Sequence, residues 1–163
     1  MSIVSTSQNI VPFLWYDNKA AEAMKLYTSL FPNSKIILQK KWGPGSPFGA
    51  DNIMMGEIEI DGLRVYMFDA GPQFKFTEAF SFFVHCKDQQ EVDKYWNKLT
   101  SDGGEESMCG WLKDKFGLSW QIVPKFLSEK LTNGDPKRTG QMMQALMKMK
   151  KLVVAELEAA YNA

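Results

Sequence analysis

Two stretches of the chain look like copies of one another. The run Gly62–Phe68 aligns with Gly117–Val123, and each is a glycine-led, mostly apolar run that follows a shorter β-forming stretch. The resemblance extends upstream, because Phe13–Tyr16 and Phe82–Cys86 each precede a helical pattern. Each copy is therefore predicted to be a strand, a helix and a run of strands. Two such units can pair their sheets around a shared concave face, where a functional site is expected.

The first half is expected to span residues 8–70. A continuous apolar run predicts its first strand, and Asp17 or Asn18 is in place to cap the helix that follows. Asp61-Gly62 is a strong hairpin signal between two strands, whereas the three Gly and two Pro residues of the loop 43–51 rule out regular structure there. The predicted elements are strands 10–16, 35–42, 53–60 and 63–69 and a helix over 20–31.

The second half, residues 78–124, repeats this plan, and residues 125–163 add a helical extension that begins its second helix at Asp135-Pro136. The methionine-rich stripe of that helix is expected to pack against the sheet or a second subunit. The chain is thus predicted to be one α+β domain, residues 1–163, whose two βαβββ half-units form paired U-shaped mixed sheets with flanking helices. The predicted elements are strands 79–86 and 118–123, two short strands within 105–113, and helices 89–99, 125–131, 136–149 and 154–161.

Strand alternation predicts which side chains face the cavity. In the last strand Leu118, Trp120 and Ile122 are large and apolar and are expected to pack on helices, so the alternate residues face the cavity. The same argument orients the other strands and predicts an aromatic, apolar cavity with a few polar groups, which suits a small, partly apolar organic ligand. The residues predicted to bind it are Trp15, Arg64, Tyr66, Phe68, Ser81, Phe83 and Gln121, with His85 on the same side as a candidate acid or base.

The charge balance argues against several kinds of partner. Nineteen basic and nineteen acidic residues cancel, so the chain is not expected to bind the phosphate backbone of a nucleic acid. Its two cysteines do not make a disulfide framework. The polar segment Met1–Asn9 has neither a basic start nor an apolar run, so no signal peptide or membrane anchor is predicted and a cytoplasmic protein is expected.

Three segments carry a resemblance to a known family: P-F-L-W-Y-D at 12–17, A-M-K-L-Y at 23–27 and C-G-W-x-x-D-K-F-G-x-x-W-Q at 109–121. Together with the repeated βαβββ pattern, they make the chain similar to the vicinal oxygen chelate superfamily, which includes glyoxalases, ring-cleaving dioxygenases and bleomycin-resistance proteins. The resemblance is closer to the PhnB-like branch, labelled the 3-demethylubiquinone-9 3-methyltransferase domain. It covers nearly the whole chain and implies a homodimer with U-shaped sites.

The resemblance also implies where a metal would be held. Metal-using relatives take their ligands, usually His and Glu, from equivalent strands of the two halves. The matching positions in this chain are Val11 or Pro12, Tyr66, Ser81 and Gln121. Because this set lacks the three or four suitable N, O or S donors that a zinc or iron site needs, no metal and no cofactor are expected.

The individual candidates each have a second interpretation. His85 is either a cavity acid or base or a hydrogen-bonded residue at the end of a strand. Arg64 either neutralises an anionic ligand group or lies at the rim with its stem on apolar neighbours. Gln121 either hydrogen bonds to a ligand or is a satisfied cavity amide. Cys109 is either a thiolate activated by nearby lysines or a small buried residue, whereas Cys86 is expected in the core.

Three functions remain open from the sequence. The first is a metal-free protein that binds a small organic molecule. The second is an enzyme of the same superfamily, of lyase, isomerase or dioxygenase type, acting through His85 or through a metal bound in another way. The third is the methyltransferase that the family label names, which is disfavoured because the chain lacks a glycine-rich loop between a strand and a helix and lacks a parallel βαβαβ pattern.

Overall fold

The computed structural model describes residues 8–163, which divide after Lys75 into two compact units. The first unit holds one βαβββ set and the second unit holds another, followed by three helices. The α+β class and the two βαβββ half-units predicted from the sequence are confirmed. The elements are β1 Phe13–Tyr16, α1 Ala20–Leu30, β2 Lys35–Lys41, β3 Ile53–Ile60, β4 Leu63–Asp69, β5 Ser81–Cys86, α2 Gln89–Thr100, β6 Glu105–Glu106, β7 Trp111–Lys113, β8 Ser119–Pro124, α3 Lys125–Asn133, α4 Pro136–Leu146 and α5 Val154–Asn162.

The two sheets have the same topology. The strand order is β1-β4-β3-β2 in the first unit and β5-β8-β7-β6 in the second. In each sheet the edge strand that begins the unit is parallel to its neighbour, and the other pairs are antiparallel. The aligned stretches Gly62–Phe68 and Gly117–Val123 therefore end on the equivalent strands β4 and β8, which confirms the duplication at the level of topology.

Each sheet buries one face against the helix of its own unit. In the first unit Val65 and Met67 of β4 are fully buried, as are Met24 and Tyr27 of α1. Burying side chains of this size stabilises a fold by about 1.5–3 kcal/mol each. The sheet face opposite the helix is called the open face below, and β4 presents Arg64, Tyr66 and Phe68 on it.

The start of α1 differs from the prediction. Neither Asp17 nor Asn18 caps the helix, and that prediction was wrong. The carboxylate of Asp69, at the end of β4, instead accepts hydrogen bonds from the backbone N–H groups of Lys19 at 2.8 Å and Ala20 at 2.9 Å. It also accepts one from Ile53 N–H at 2.9 Å and is only 1% exposed. One buried carboxylate thus joins a helix start to two strands.

The second unit is organised around its own buried carboxylate and aromatic core. Asp114 accepts hydrogen bonds from the backbone N–H groups of Phe116 at 2.9 Å and Leu118 at 3.1 Å and from the indole N–H of Trp120 at 2.9 Å. Trp120 and Trp96 are each 1% exposed. The helix α2 is capped by Asp88, whose side chain accepts from the N–H of Glu91.

The three C-terminal helices form an apolar cluster with the end of β8. It contains Val123, Leu127, Met142, Leu146, Met149, Leu152, Leu157 and Tyr161.

Two backbone hydrogen bonds attach this extension to the turn before β7. The N–H of Cys109 donates to Met149 O at 2.7 Å, and the N–H of Gly110 donates to Lys150 O at 2.8 Å. Gly110 has a φ of +82°, and a Cβ there would lie 3.0 Å from the Ile122 carbonyl oxygen and from a Leu152 methyl group. A glycine is therefore required where the extension meets the sheet. Within residues 8–163, no helix is long and apolar enough to cross a membrane.

Candidate functional site

The open face of the first sheet carries a cluster of edge-to-face aromatic rings. The parallel register sets Phe13 beside Tyr66 and Trp15 beside Phe68. The Phe68 ring centroid lies 4.9 Å from that of Phe13 and 4.8 Å from that of Trp15, and Phe74 lies 4.9 Å from Trp15. Phe13 and Phe74 are more than half exposed. The predicted residues Trp15, Tyr66 and Phe68 therefore share one apolar face.

The polar groups on this face differ in whether they already hydrogen bond to other residues. The indole N–H of Trp15 donates to Gly71 O at 2.9 Å, which fixes the ring in place. The hydroxyl of Tyr66 forms no hydrogen bond with another residue in the range 8–163. Tyr66 is therefore the group on this face whose hydrogen-bonding capacity is unused by the described protein.

Arg64 is paired with a residue that the sequence did not single out. Its guanidinium donates two hydrogen bonds to one carboxylate oxygen of Glu57, and the side chains are 16% and 10% exposed. Glu57 lies directly opposite Tyr66 across β3 and β4, so it is also on the open face. The only sign of this ion pair in the sequence was that Glu57 and Arg64 lie on either side of the Asp61-Gly62 hairpin. The charge of Arg64 is already balanced by the protein.

The open face of the second sheet carries the other predicted residues. Ser81, Phe83 and His85 on β5 lie opposite Ser119, Gln121 and Val123 on β8. The side-chain N–H of Gln121 donates to Ser81 Oγ at 3.0 Å. Phe82 contacts the buried Trp120 on the helix side, as the predicted alternation requires. Val123, which was predicted to face the cavity, is instead buried in the apolar cluster of the C-terminal helices.

His85 stands at the exposed end of this row. Its imidazole centroid lies 4.9 Å from that of Phe83, and both residues are exposed. No other residue of the described chain hydrogen bonds to the imidazole. The interpretation of His85 as a hydrogen-bonded residue at the end of a strand is therefore not supported. If the imidazole acts as an acid or base, no residue among 8–163 orients it by a hydrogen bond.

A depression of about 460 Å³ lies beside the Ser81 and Gln121 row, toward the far edge of the same sheet. Trp111 lies opposite Gln121 and Lys113 lies opposite Ser119, so β7 extends the open face past β8. These residues were missing from the predicted site because β6 and β7 are too short to show alternation. The lining is formed by Glu78, Glu105, Glu106, Ser107, Met108, Cys109, Trp111, Leu112, Lys113 and Ser119.

The charged groups of the depression are partly engaged with one another. Lys113 Nζ lies 2.6 Å from a carboxylate oxygen of Glu78. This hydrogen bond lowers the pKa of Glu78 and raises the pKa of Lys113, and the charge of Glu105 raises the pKa of Lys113 further. Glu106 accepts a hydrogen bond from the indole N–H of Trp96 at 2.9 Å.

One hydroxyl in the lining of the depression has no protein partner among the described residues. Ser119 is 1% exposed. Its hydroxyl forms no hydrogen bond with another residue of the described chain, although Ser119 lines the depression. The hydroxyl is therefore available to a bound molecule.

A sequence profile of the family described as 3-demethylubiquinone-9 3-methyltransferase matches residues 8–123. The chain belongs to this family. The profile spans both βαβββ units and stops within β8, so α3, α4 and α5 lie beyond the family match. No functionally curated protein matches the chain in sequence.

Solved structures support the same family and share the fold. The PhnB protein of Bacillus cereus, which carries the same methyltransferase name, is 32% identical with a TM-score of 0.68, over 72% of this chain and 99% of that one. Protein PA1353 of Pseudomonas aeruginosa is 21% identical with a TM-score of 0.60, over 72% and 98%. The fosfomycin resistance protein FosX of Listeria monocytogenes, 16% identical with a TM-score of 0.51 over 77% and 98%, shares the fold. The predicted PhnB-like branch is confirmed.

The donor set at the superfamily's metal positions does not fit a divalent ion. Val11 and Pro12 have no side-chain donor, and Ser81 and Gln121 hydrogen bond to each other. Tyr66 supplies one phenol. Within residues 8–163, no three His, Cys, Asp or Glu side chains come together in a group that could hold a metal ion. A catalytic zinc site needs three protein ligands, and these positions do not supply them.

The two cysteines of this PhnB-like protein differ in their surroundings. Cys86 is buried, and burial together with the nearby charge of Glu91 raises its pKa to about 12, so its thiol stays protonated at neutral pH. Cys109 is partly exposed and lies in the turn before β7, at the edge of the depression. The prediction that Cys86 belongs to the core is confirmed.

Proposed function

We propose that this PhnB-like protein binds a small organic molecule on the open face of its second sheet, without a divalent metal at the superfamily's ligand positions. The observation that carries the proposal is the depression of about 460 Å³, which has the partly buried ring of Trp111 and the unpaired hydroxyl of Ser119 in its lining. Ligand sites are typically concave, mostly apolar and supplied with a few fixed polar groups.

The neighbouring residues support a hydrogen-bonding site. Gln121 faces the same side as Trp111, and its amide oxygen is not used in the bond to Ser81. An amide can donate and accept, so this side chain can read either a hydroxyl or a carbonyl of a ligand while Ser81 holds its orientation. The aromatic cluster of Trp15, Tyr66 and Phe68 is proposed as a second apolar binding surface, on the first sheet.

An enzymatic role through His85 is the alternative. The observation in its favour is that the imidazole lies exposed on the same open face as Gln121. A general acid or base must come within hydrogen-bond reach of the proton that it transfers. On a substrate identified by the screen below, His85→Ala would remove this activity if the imidazole acts on the proton. Full activity of the variant would exclude that role.

Methyl transfer is the activity that the family name suggests, and it is the weakest of the three. Each described sheet has one parallel strand pair. Neither pair contains the motif of a strand, a glycine-rich loop and a helix that holds a nucleotide-like cofactor. Titration with S-adenosylmethionine tests this directly. Saturable micromolar binding would restore methyl transfer, and the absence of heat at millimolar cofactor would remove it.

The test of the main proposal is a ligand screen on protein treated with EDTA. Small aromatic and carbonyl compounds are ranked by thermal shift, and the hits are titrated by calorimetry with and without added Zn²⁺ or Mn²⁺. We expect binding that is independent of the metal and that Trp111→Ala weakens by tenfold or more. Leu131→Ala, a half-exposed apolar residue on α3, is the matched control. Saturation that requires a metal, or unchanged binding to Trp111→Ala, would contradict the proposal.

We also propose the assembly and location that the resemblance implies, a homodimer in the cytoplasm that binds neither nucleic acid nor membrane. The balanced charge supports the absence of nucleic-acid binding. Sedimentation equilibrium across a hundredfold range of concentration measures the assembly. A monomer mass at every concentration would rule out the homodimer.

A further inference from the structure

We propose that the depression on the second sheet selects a protonated amine, so that the ligand is a small organic cation with an apolar or aromatic body. This inference rests on the proposed function and specifies its ligand. It follows from three features of the lining: the balance of charges, the ring of Trp111 and the hydroxyl of Ser119.

The charges of the lining favour a cation. The lining contains three glutamates and one lysine, and Lys113 is already paired with Glu78 at 2.6 Å. Lys113 also lies directly opposite Glu105 across β6 and β7. A further cation, Lys150, lies 3.8 Å from Glu106 and is itself mostly exposed. Carboxylates outnumber the cations that they could pair with, so an anionic ligand is repelled and an ammonium group is attracted.

The body of the ligand is set by Trp111. The indole is partly buried, lines the depression and lies on the open face beside Gln121. A tryptophan face attracts a cation and also packs against an aromatic or alkyl group. A volume of about 460 Å³ accommodates a molecule of this kind rather than a single ion.

Ser119 supplies the observation that is independent of charge. The residue is 1% exposed, it lines the depression, and its hydroxyl has no hydrogen-bond partner within residues 8–163. The hydroxyl oxygen can accept an N–H of an ammonium group, as the carboxylates of Glu105 and Glu106 can. The Ser119 hydroxyl thus adds an acceptor that has no donor among the described residues to a cavity lined by carboxylates and an aromatic ring.

The experiment compares three probes of equal size and different charge: 2-phenylethylamine, 2-phenylethanol and phenylacetate. Calorimetry at pH 7 and low salt should show that the amine binds at least about tenfold more tightly than the alcohol, as expected for a charge-assisted hydrogen bond, and that phenylacetate binds most weakly. Raising the salt concentration should weaken the binding of the amine and leave the binding of the alcohol unchanged.

Variants then assign the effect to the depression. Glu105→Gln with Glu106→Gln should reduce amine binding about tenfold and leave the alcohol unchanged. The glutamine at position 106 can still accept the indole N–H of Trp96. Ser119→Ala should weaken the binding of the amine. Glu129→Gln, an exposed glutamate on α3, is the matched control, and a thermal melt of each variant shows that it is folded.

The outcomes separate the two proposals. Equal binding of amine and alcohol, both lost in Trp111→Ala, would remove the cation preference and keep the binding function. Tighter binding of phenylacetate than of the amine would also overturn the cation preference. If the amine binds equally to wild type, the double glutamine variant and Ser119→Ala, it binds elsewhere and the inference is wrong. If no probe and no compound of the screen binds, both proposals fail together.

Discussion

The side-chain amide of Gln121 donates a hydrogen bond to the hydroxyl of Ser81, with 3.0 Å between Nε2 and Oγ. The two residues lie on neighbouring parallel strands, two register positions apart and therefore on the same face. Both occupy positions that match metal-ligand positions of superfamily relatives. In this chain the two side chains hydrogen bond to each other, so part of the polar capacity at these positions is used within the protein.

A double-mutant cycle tests the energetic link between these two residues. Ser81→Ala removes the acceptor of the Gln121 N–H, and we expect a loss of about 1 kcal/mol in the free energy of unfolding. Gln121→Ala should cost a similar amount, and the double variant should cost less than the sum of the two. Urea denaturation gives the three values.

The matched control for this cycle is another serine. The hydroxyl of Ser128 on α3 is buried and has no hydrogen-bond partner among residues 8–163. Ser128→Ala removes an unsatisfied polar atom and adds a better helix former, so it should leave the protein equally stable or stabilise it. Strictly additive effects of the Ser81 and Gln121 variants would show that the observed bond contributes nothing.

The ion pair of Glu57 and Arg64 should behave as a buried pair. Arg64→Ala leaves the Glu57 carboxylate without its guanidinium at 8% exposure, and we expect a loss of about 3–5 kcal/mol. The double variant Glu57→Gln with Arg64→Met removes both charges and should recover most of that loss. Chemical denaturation of the three proteins measures the difference.

An exposed pair on the same sheet provides the comparison. Lys35 and Glu59 lie 3.8 Å apart, and the lysine side chain is about half exposed. Lys35→Ala should cost less than about 1 kcal/mol, because water screens this pair. If Arg64→Ala costs no more than Lys35→Ala, Arg64 is not held by Glu57 in solution. It would then be free for an anionic ligand, as one sequence interpretation had it.

The parts of the fold that were predicted from the sequence follow from local rules. Alternation in β5 and β8 is a property of any strand, so the faces of Ser81, Phe83 and Gln121 could be assigned before any contact was known. The hairpin at Asp61-Gly62 is similarly local, and both of its residues have positive φ, at 46° and 82°. The repeat then transferred each assignment from one half to the other.

The parts that were missed depend on contacts between distant residues. Asp69, which caps α1, is 49 residues away from Ala20 in the sequence. No local sequence pattern predicts that Asp69 is the capping residue. The first strand begins at Phe13 rather than at residue 10, because Pro12 has no N–H to donate to a sheet. The depression is built from β6, which has two residues, and from Glu78 in an irregular segment. Neither carries a periodic signal.

The ion pair of Glu78 and Lys113 should give the protein a defined pH dependence. The pKa of Glu78 is lowered in the folded protein, so the pair stabilises the fold above the ordinary glutamate pKa of 4.5. That stabilisation is lost as the pH falls through the lower folded value. The pKa of Lys113 is raised above 10.5, so on the alkaline side the contribution is present up to 10.5 and is lost as the pH rises through the folded value.

The measurement is the difference in unfolding free energy between wild type and Glu78→Gln across the pH range. The difference should be constant between about pH 5 and pH 10, should vanish in acid, and should shrink in high salt because both groups are exposed. Glu129→Gln, an exposed glutamate outside the depression, is the control and should show a much smaller change with pH. A difference that grows in acid would contradict the pairing.

The two thiols should react at very different rates with an alkylating reagent. Burial, with a contribution from the charge of Glu91, raises the pKa of Cys86 to about 12, so almost no thiolate forms there at pH 8, and the side chain is also inaccessible. Cys109 is partly exposed in the turn before β7. Iodoacetamide at pH 8, followed by peptide mass spectrometry, should therefore label Cys109 first. Cys86 should be labelled only after denaturation, which serves as the control for reagent access. Equal labelling of both thiols in the folded protein would mean that the end of β5 opens in solution and that the buried sheet face is less protected than its packing indicates.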